Sequence, residues 1–260
     1  MGGAQPPKSF DELRARALEY GKKRGRARLG VAAASDECTL EAAHDAWKLE
    51  LVDPVLVGTP DLIQTAAKSA GLDISSWRIV RADGPFESAW RAVELVRQGE
   101  VDLLMKGKMN TAVLMRAVLD KETGIRDGGL MSHIAIVWTP TFGRLLCMSD
   151  GGIVLAPSLE EKADIIRNAV DAMHKLGWEC PNVAVVGALE LVNPKMPHTI
   201  DAAALAKMND RGRITGCIVD GPFGVDNALR EDAARTKGLR SPVAGKAGPV
   251  TVADKDVRKG

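Results

Sequence analysis

The sequence predicts an α/β fold in which a mostly parallel sheet is covered by helices on both faces. Three observations carry this. Short apolar runs alternate with helical segments along most of the 260 residues, the pattern that builds parallel sheets. The core must be aliphatic, because four Phe, five Trp and one Tyr cannot fill it while 45% of the chain is hydrophobic. Ala, Val, Ile and Leu suit strands buried on both faces. The length is enough to bury a full core, as one large domain or two small ones.

The elements follow in order. LGVAA (29–33) is a strand after the basic stretch Lys22 to Arg28, and DECTLEAAHDAWKLEL continues with helical spacing. PVLVG (54–58) is a second strand, closed by Gly58 and Thr59-Pro60, with a helix over 61–70 ending at Gly71. RIV (78–80) is a weak third strand. Residues 86–99 form an amphipathic helix with Ala89, Trp90, Val93, Leu95 and Val96 at helical spacing and Gly99 as its stop. VDLLMKG (101–107) is a strand running into a glycine turn, and Asn110 can cap a helix over 111–119.

The middle of the chain changes texture. IAIVW (134–138) and RLLCMSD (144–150) are strands joined by Thr139-Pro-Thr-Phe-Gly143, a link short enough to force an antiparallel hairpin. That hairpin suggests a second subdomain or a dimer-forming arm. A helix over 159–176 starts from a Ser158 N-cap with Glu161 at the capping-box position. NVAVVG (182–187), a helix over 199–208, ITGCIVDG (214–221) and a helix over 226–236 complete the alternation.

Several functions are excluded. Thirty-five basic against 34 acidic residues argues against a nucleic-acid or membrane-surface binder. No apolar run approaches the roughly 20 residues needed to cross a bilayer. MGGAQPPKSF lacks an apolar signal core, and Cys38, Cys147, Cys180 and Cys217 form no C-x-x-C, so a reducing cytoplasm is expected. The histidines His44, His133, His174 and His198 make no metal motif, and no metal site is expected.

In open α/β sheets, ligands bind beyond the carboxyl ends of strands. The candidates are the polar residues there: Lys106-Gly107-Lys108, Ser149-Asp150-Gly-Gly152, Glu190 with Asn193, and Asp220-Gly221-Pro222. Gly107 would let the backbone approach an anion, with Lys106 supplying charge; Arg126 is a loop arginine suited to bidentate phosphate contact. Asp150 and Asp220 either cap turns or face substrate. Ser132 and His133 are neighbours on an extended segment and point opposite ways, which disfavours a Ser–His relay. No P-loop, dinucleotide fingerprint or nucleophile elbow occurs.

Together the runs DLLMKGKMNT, GIRDGGLMSH, LLCMSDGGIVLAPSLEEKADIIRNAVDAMHKLG, CPNVAVVGALELVNPKMPHTIDAAALAKM, ITGCIVDGPFGVDNAL and KGLRSPVAGKA resemble the phosphate acetyl/butyryltransferases, in family order, from about residue 29 to Ala247. The resemblance implies one family domain of two interleaved α/β lobes, like isocitrate and isopropylmalate dehydrogenases, with 107–158 helping form the cleft. It implies a homodimer and the reaction acyl-CoA + phosphate ⇌ acyl phosphate + CoA, with no cofactor beyond these substrates. Lys106, Gly107, Arg126, Ser132, His133, Asp150, Glu190, Asp220, Gly221 and Asn227 are the expected substrate-binding residues, Lys106 and Arg126 facing phosphate.

The sequence departs from the family pattern in two places. Val154 stands where an Asn is common, and after Ala247 the atypical tail 248–260 lacks the family's Ser-Arg-x-Asp stretch. No residue inherits the roles associated with that stretch, so the catalytic residues stay unassigned. The alternative reading is a CoA- or phosphate-binding relic. Another enzyme of the same fold, such as a hydroxythreonine-phosphate dehydrogenase, is disfavoured by the missing His/Asp metal pattern.

Overall fold

The structure, a computed structural model, describes residues 5–253. These residues form two compact units, Leu13–Gly129 and, for the rest, residues 5–12 with 130–253. They are called the first and second unit below.

The first unit is built on a four-stranded sheet of β1 (Ala27–Ala32), β2 (Val52–Gly58), β3 (Arg78–Arg81) and β4 (Leu103–Lys106). Its order is β3-β2-β1-β4 and every pairing is parallel. The intervening helices are α2 (Glu37–Lys48), α3 (Pro60–Ser69) and α4 (Gly84–Arg97), and α5 (Thr111–Leu119) follows β4. Val31, Leu40, Leu56 and Ile63 are fully buried between strands and helices, the aliphatic core the composition requires. Asp36 caps α2 and Asn110 caps α5, each accepting a first-turn N–H. Arg28 and Asp102 pair at 2.7 Å where β1 meets β4, and the guanidinium and the Arg28 N–H hold the Asp102 carboxyl down at about 2.

The second unit carries a five-stranded mixed sheet, order β5-β6-β9-β7-β8. Its strands are β5 (Ala135–Thr139), β6 (Arg144–Ser149), β7 (Asn182–Val186), β8 (Ile218–Phe223) and β9 (Pro249–Ala253). β5 and β6 form the expected antiparallel hairpin, and the remaining pairings are parallel. α6 (Leu159–Lys175) starts with the complete Ser158/Glu161 capping box and buries Ile165, Ile166, Val170 and Met173. α7 (Pro197–Asp210), α8 (Val225–Leu229) and α9 (Glu231–Thr236) complete the unit.

Four features differ from the sequence reading. α1 (Phe10–Arg24) was not expected, because it buries no residue and so has no apolar stripe. Its signal was the pairing of Ser9 Oγ, which accepts the Glu12 N–H, with the Glu12 carboxylate, which accepts the Lys8 N–H. The strand expected over 214–221 is shifted to β8. Asn209 holds the preceding loop by donating to the carbonyls of Ile214 and Cys217 and accepting from the Val219 N–H.

The single helix expected over 226–236 is broken at Arg230, which is extended. Six residues of continuous helix would point Ala228 and Ala234 to different sides; the break lets both enter one core cluster with Phe223 and Val243. Finally, the segment treated as an atypical tail contains β9, hydrogen-bonded between β6 and β7. Residues 254–260 lie outside the described residues.

Gly107 shows how tightly the first unit is closed. Its N–H donates to the Ala32 carbonyl at 2.8 Å, and a Cβ built on it would stand 2.3 Å from the Ala33 carbonyl oxygen. Gly107→Ala should therefore destabilise the protein by about 2–4 kcal/mol, read as a lower urea midpoint at unchanged slope. An unchanged midpoint would show that the β1–β4 junction relaxes freely.

Candidate functional site

The turn after β4 carries three of the expected residues. Lys106 curls back onto its own turn, its Nζ donating to the Met109 carbonyl at 3.1 Å and to that of Gly107 at 3.4 Å. Gly107 gives up its side-chain space to the end of β1, so the reason for glycine here is strand packing. This packing requires glycine here whether or not an anion approaches the turn. The side chain of Lys108, next along, is exposed and makes no hydrogen bond or ion pair among the described residues, while its backbone N–H donates to the Ala33 carbonyl at 2.9 Å. Arg126, on the loop after α5, is likewise exposed and without such a partner among them.

In the second unit, Ser132, His133 and Asp150 are brought together. The Asp150 side chain is buried at the end of β6. It accepts the backbone N–H of His133 at 2.9 Å, of Ile153 at 2.8 Å, of Val154 at 3.4 Å, and of Gly152. Burial by itself would raise this carboxyl; the four N–H donors outweigh it and hold the group below the usual carboxylate value. Ser149 Oγ donates to the His133 carbonyl at 2.8 Å, so both ends of the His133 peptide are tied to β6.

The neighbours diverge as expected. Asn168 of α6 donates to Ser132 Oγ at 2.9 Å, while the His133 imidazole packs on Gly151, where a Cβ would meet Nδ1 at 2.1 Å. Of the two readings open for Asp150, the turn cap matches this geometry: its oxygens are occupied by the loop it organises.

Glu190 and Asn227 lie in a second cluster. Lys237 bridges Glu190 at 3.3 Å and Asp226 at 3.4 Å. Desolvation works against its charge, but these two carboxylates prevail and hold the ammonium above its ordinary value. Asn227 is fully buried, and neither its amide nitrogen nor its oxygen has a partner among the described residues. An unpaired buried amide costs about 1–3 kcal/mol. Asp220 accepts its own neighbour's N–H, from Gly221, at 2.8 Å. Gly221 is packed so closely that a Cβ would stand 2.7 Å from the Val185 carbonyl.

Cys147 and Cys217 are buried, and burial pushes each thiol up to about 11, which makes them inert apolar groups. Cys38 and Cys180 are exposed free thiols.

Comparison with known proteins decides the family. Residues 86–250 match the family described as Phosphate acetyl/butaryl transferase. The chain belongs to this family. It is 46% identical to the phosphate butyryltransferase of Clostridium acetobutylicum over 92% of this chain and 78% of that protein. It is also 46% identical to the phosphate acetyltransferase of Thermotoga maritima over 88% of this chain and 78% of that one. Among solved structures, a branched-chain phosphotransacylase from Enterococcus faecalis V583 aligns with a TM-score of 0.76 at 27% identity, covering 89% of this chain and 80% of that one. A phosphotransacetylase from Streptococcus pyogenes aligns at 0.74 and 18% identity over 95% and 83%, which speaks to the fold alone.

The matched span holds all ten expected substrate-binding residues. It also holds Lys108, which shares the turn with Lys106; the sequence reading favours Lys106 over it as the phosphate-facing cation.

Asp150→Asn should destabilise the protein at pH 7 by about 1–3 kcal/mol, because the new NH2 faces N–H donors. The native carboxyl is held below its unfolded value, so its contribution is complete above about pH 4 and fades as pH falls through the folded value. Denaturation of both proteins between pH 7 and pH 2 should show the difference shrinking with acid. A constant difference would remove the carboxylate's charge from the explanation.

Proposed function

We propose that the protein catalyses reversible transfer of an acyl group between CoA and inorganic phosphate. The observation that carries this is 46% identity to a phosphate butyryltransferase sustained over 92% of the chain. The chemistry needs no redox group: a base takes the CoA thiol proton, the thiolate attacks the carbonyl of an acyl phosphate, and the C–S bond forms as the acyl C–O bond breaks and inorganic phosphate leaves, with cationic groups and N–H donors stabilising phosphate and the developing oxyanion. Acyl-CoA and phosphate are the substrates, and CoA and phosphate themselves complete the chemistry with no further cofactor.

Within this reading, Lys106 and Arg126 of the first unit are phosphate-facing cations. Lys106 would have to swing off the Met109 and Gly107 carbonyls, a side-chain rotation that breaks two hydrogen bonds. Asp220, Gly221, Glu190 and Asn227 are substrate-binding positions of the second unit. Asp150 acts through the loop it anchors, setting the backbone of Ser132 and His133.

The reading extends to a dehydrogenase-like lobe arrangement and to a cytoplasmic homodimer. The edge strand β5, with Trp138 exposed on the hairpin, is the element suited to meet a second copy. No described helix is long and apolar enough to cross a membrane.

Purified protein given butyryl-CoA or acetyl-CoA should release CoA, followed with a thiol reagent, at a rate that rises with phosphate and saturates. Lys106→Ala should raise the KM for phosphate about tenfold or more, the loss of one charge-assisted contact. Phosphate-independent release, or none, would leave the relic reading in place.

A further inference from the structure

Two neighbouring cavities of the first unit share Ser35, Leu62 and Lys108. One, of about 330 Å³, lies at the carboxyl ends of β1, β2 and β3 and is also lined by Thr59, Gly84 and Ser88. The other, of about 380 Å³, extends past Asp36 and Cys38 to Ser69. They adjoin through these three residues to form one groove, and each half falls in the range of small-molecule sites. The groove adjoins the point where strand order reverses: β2 and β3 lie to one side of β1 and β4 to the other. Ser35 follows β1 and Lys108 follows β4, so both reach the groove from the two strands that flank that point.

The charges along the groove are sorted. The first cavity has no carboxylate in its lining, and Lys108 is its one charged side chain. The hydroxyls of Thr59 and Ser88 are turned to the Ala82 and Gly84 carbonyls, while Ser35 Oγ and Lys108 Nζ have no partner among the described residues. Carboxylates belong to the other half, where Asp36 is occupied in capping Thr39 and Glu37 sits in the first turn of α2. The backbone is shaped to present these groups. Ala33 takes a left-handed φ of 56°, uncommon without glycine, and its carbonyl accepts the Lys108 N–H at 2.9 Å.

We propose that this groove binds CoA, with a phosphate of its nucleotide end on Lys108 and Ser35 and the uncharged amide arm running toward Cys38. The inference rests on the acyltransferase reading for its choice of ligand, and it names Lys108, rather than Lys106, as the CoA-binding lysine of that turn. A phosphate group could also come from inorganic phosphate. The space on both sides of Lys108 and Ser35, which line both cavities, favours CoA, since a lone ion held by them would leave most of each cavity unfilled.

The test is direct binding to the full chain, with no turnover required. Acetyl-CoA binding is measured by equilibrium dialysis without added phosphate, for the native protein, Lys108→Gln and Ser35→Ala. Lys108→Gln should weaken acetyl-CoA about tenfold at an unchanged melting temperature, and Ser35→Ala by a smaller factor. Alkylation of Cys38, followed by mass spectrometry, should slow with acetyl-CoA and not with inorganic phosphate, while exposed Cys180 serves as the reference. Unchanged affinity in Lys108→Gln, or an acetyl-CoA complex that leaves Cys38 fully reactive, overturns the proposal. A loss confined to inorganic phosphate also overturns it, by assigning the lysine to the other substrate. Failure of the acyltransferase reading is separately visible as acetyl-CoA binding without phosphate-dependent release.

Discussion

The carboxyl end of β1 is the constraint on which the first unit turns. β1 is paired on both sides, with β2 and β4, so its backbone has no freedom to move away from either neighbour. The carbonyls of Ala32 and Ala33 leave the ladder and accept the N–H groups of Gly107 and Lys108 at 2.8 and 2.9 Å. That approach is possible only over a residue without a side chain. The strand end thus dictates glycine at 107 and a left-handed backbone at Ala33. It also fixes where the two flanking lysines begin. One side chain falls back on its own turn, and the other is carried outward.

The second unit meets the same need, a defined loop beyond a buried strand, by different chemistry. At the end of β6 a carboxylate gathers four backbone N–H groups, so the loop is held by a charge-assisted network. Such a group must stay ionised while buried, and only several donors at once can offset its desolvation. The loop is consequently stiff where Ser132 and His133 begin, with both sides of the His133 peptide tied to β6. Backbone hydrogen bonds to a close-packed strand end hold one loop and a buried carboxylate holds the other, and each leaves its polar side chains facing in set directions.

Much of this was legible in the residues, for physical reasons that vary by element. Ser158 and Glu161 announce the start of α6 because capping is a local event between residues three apart. The hairpin is equally local: five linking residues leave the chain no other route. β9 was not legible, because its place between β6 and β7 is settled by strands more than sixty residues away in sequence. A five-residue run such as Pro249–Ala253 says nothing of its neighbours. The break at Arg230 was hidden for a related reason. No glycine or proline marks it, and it exists because Ala228 and Ala234 must share one cluster. The candidate site follows the same division. Strand ends could be read, and with them the polar residues that lie there; the partner each side chain would find could not.

That distinction is what separates residues of one chemical type. Lys106 and Lys108 flank the same glycine and are equivalent in sequence, but the first spends its protons on nearby carbonyls and the second does not. Asp150 follows the last residue of β6, while Asp220, expected at a strand end, lies inside β8. The former is saturated by four donors, whereas the latter accepts one from its own neighbour. A ligand competes for hydrogen-bonding capacity, and displacing an existing partner costs about what that partner contributed. Binding therefore costs least at groups whose capacity the fold has left unspent. In the first unit two of those groups, Ser35 Oγ and Lys108 Nζ, line one groove beside the β1 end that forced Gly107 to be glycine. The packing that closes the sheet is also what delivers an unpaired ammonium to the site.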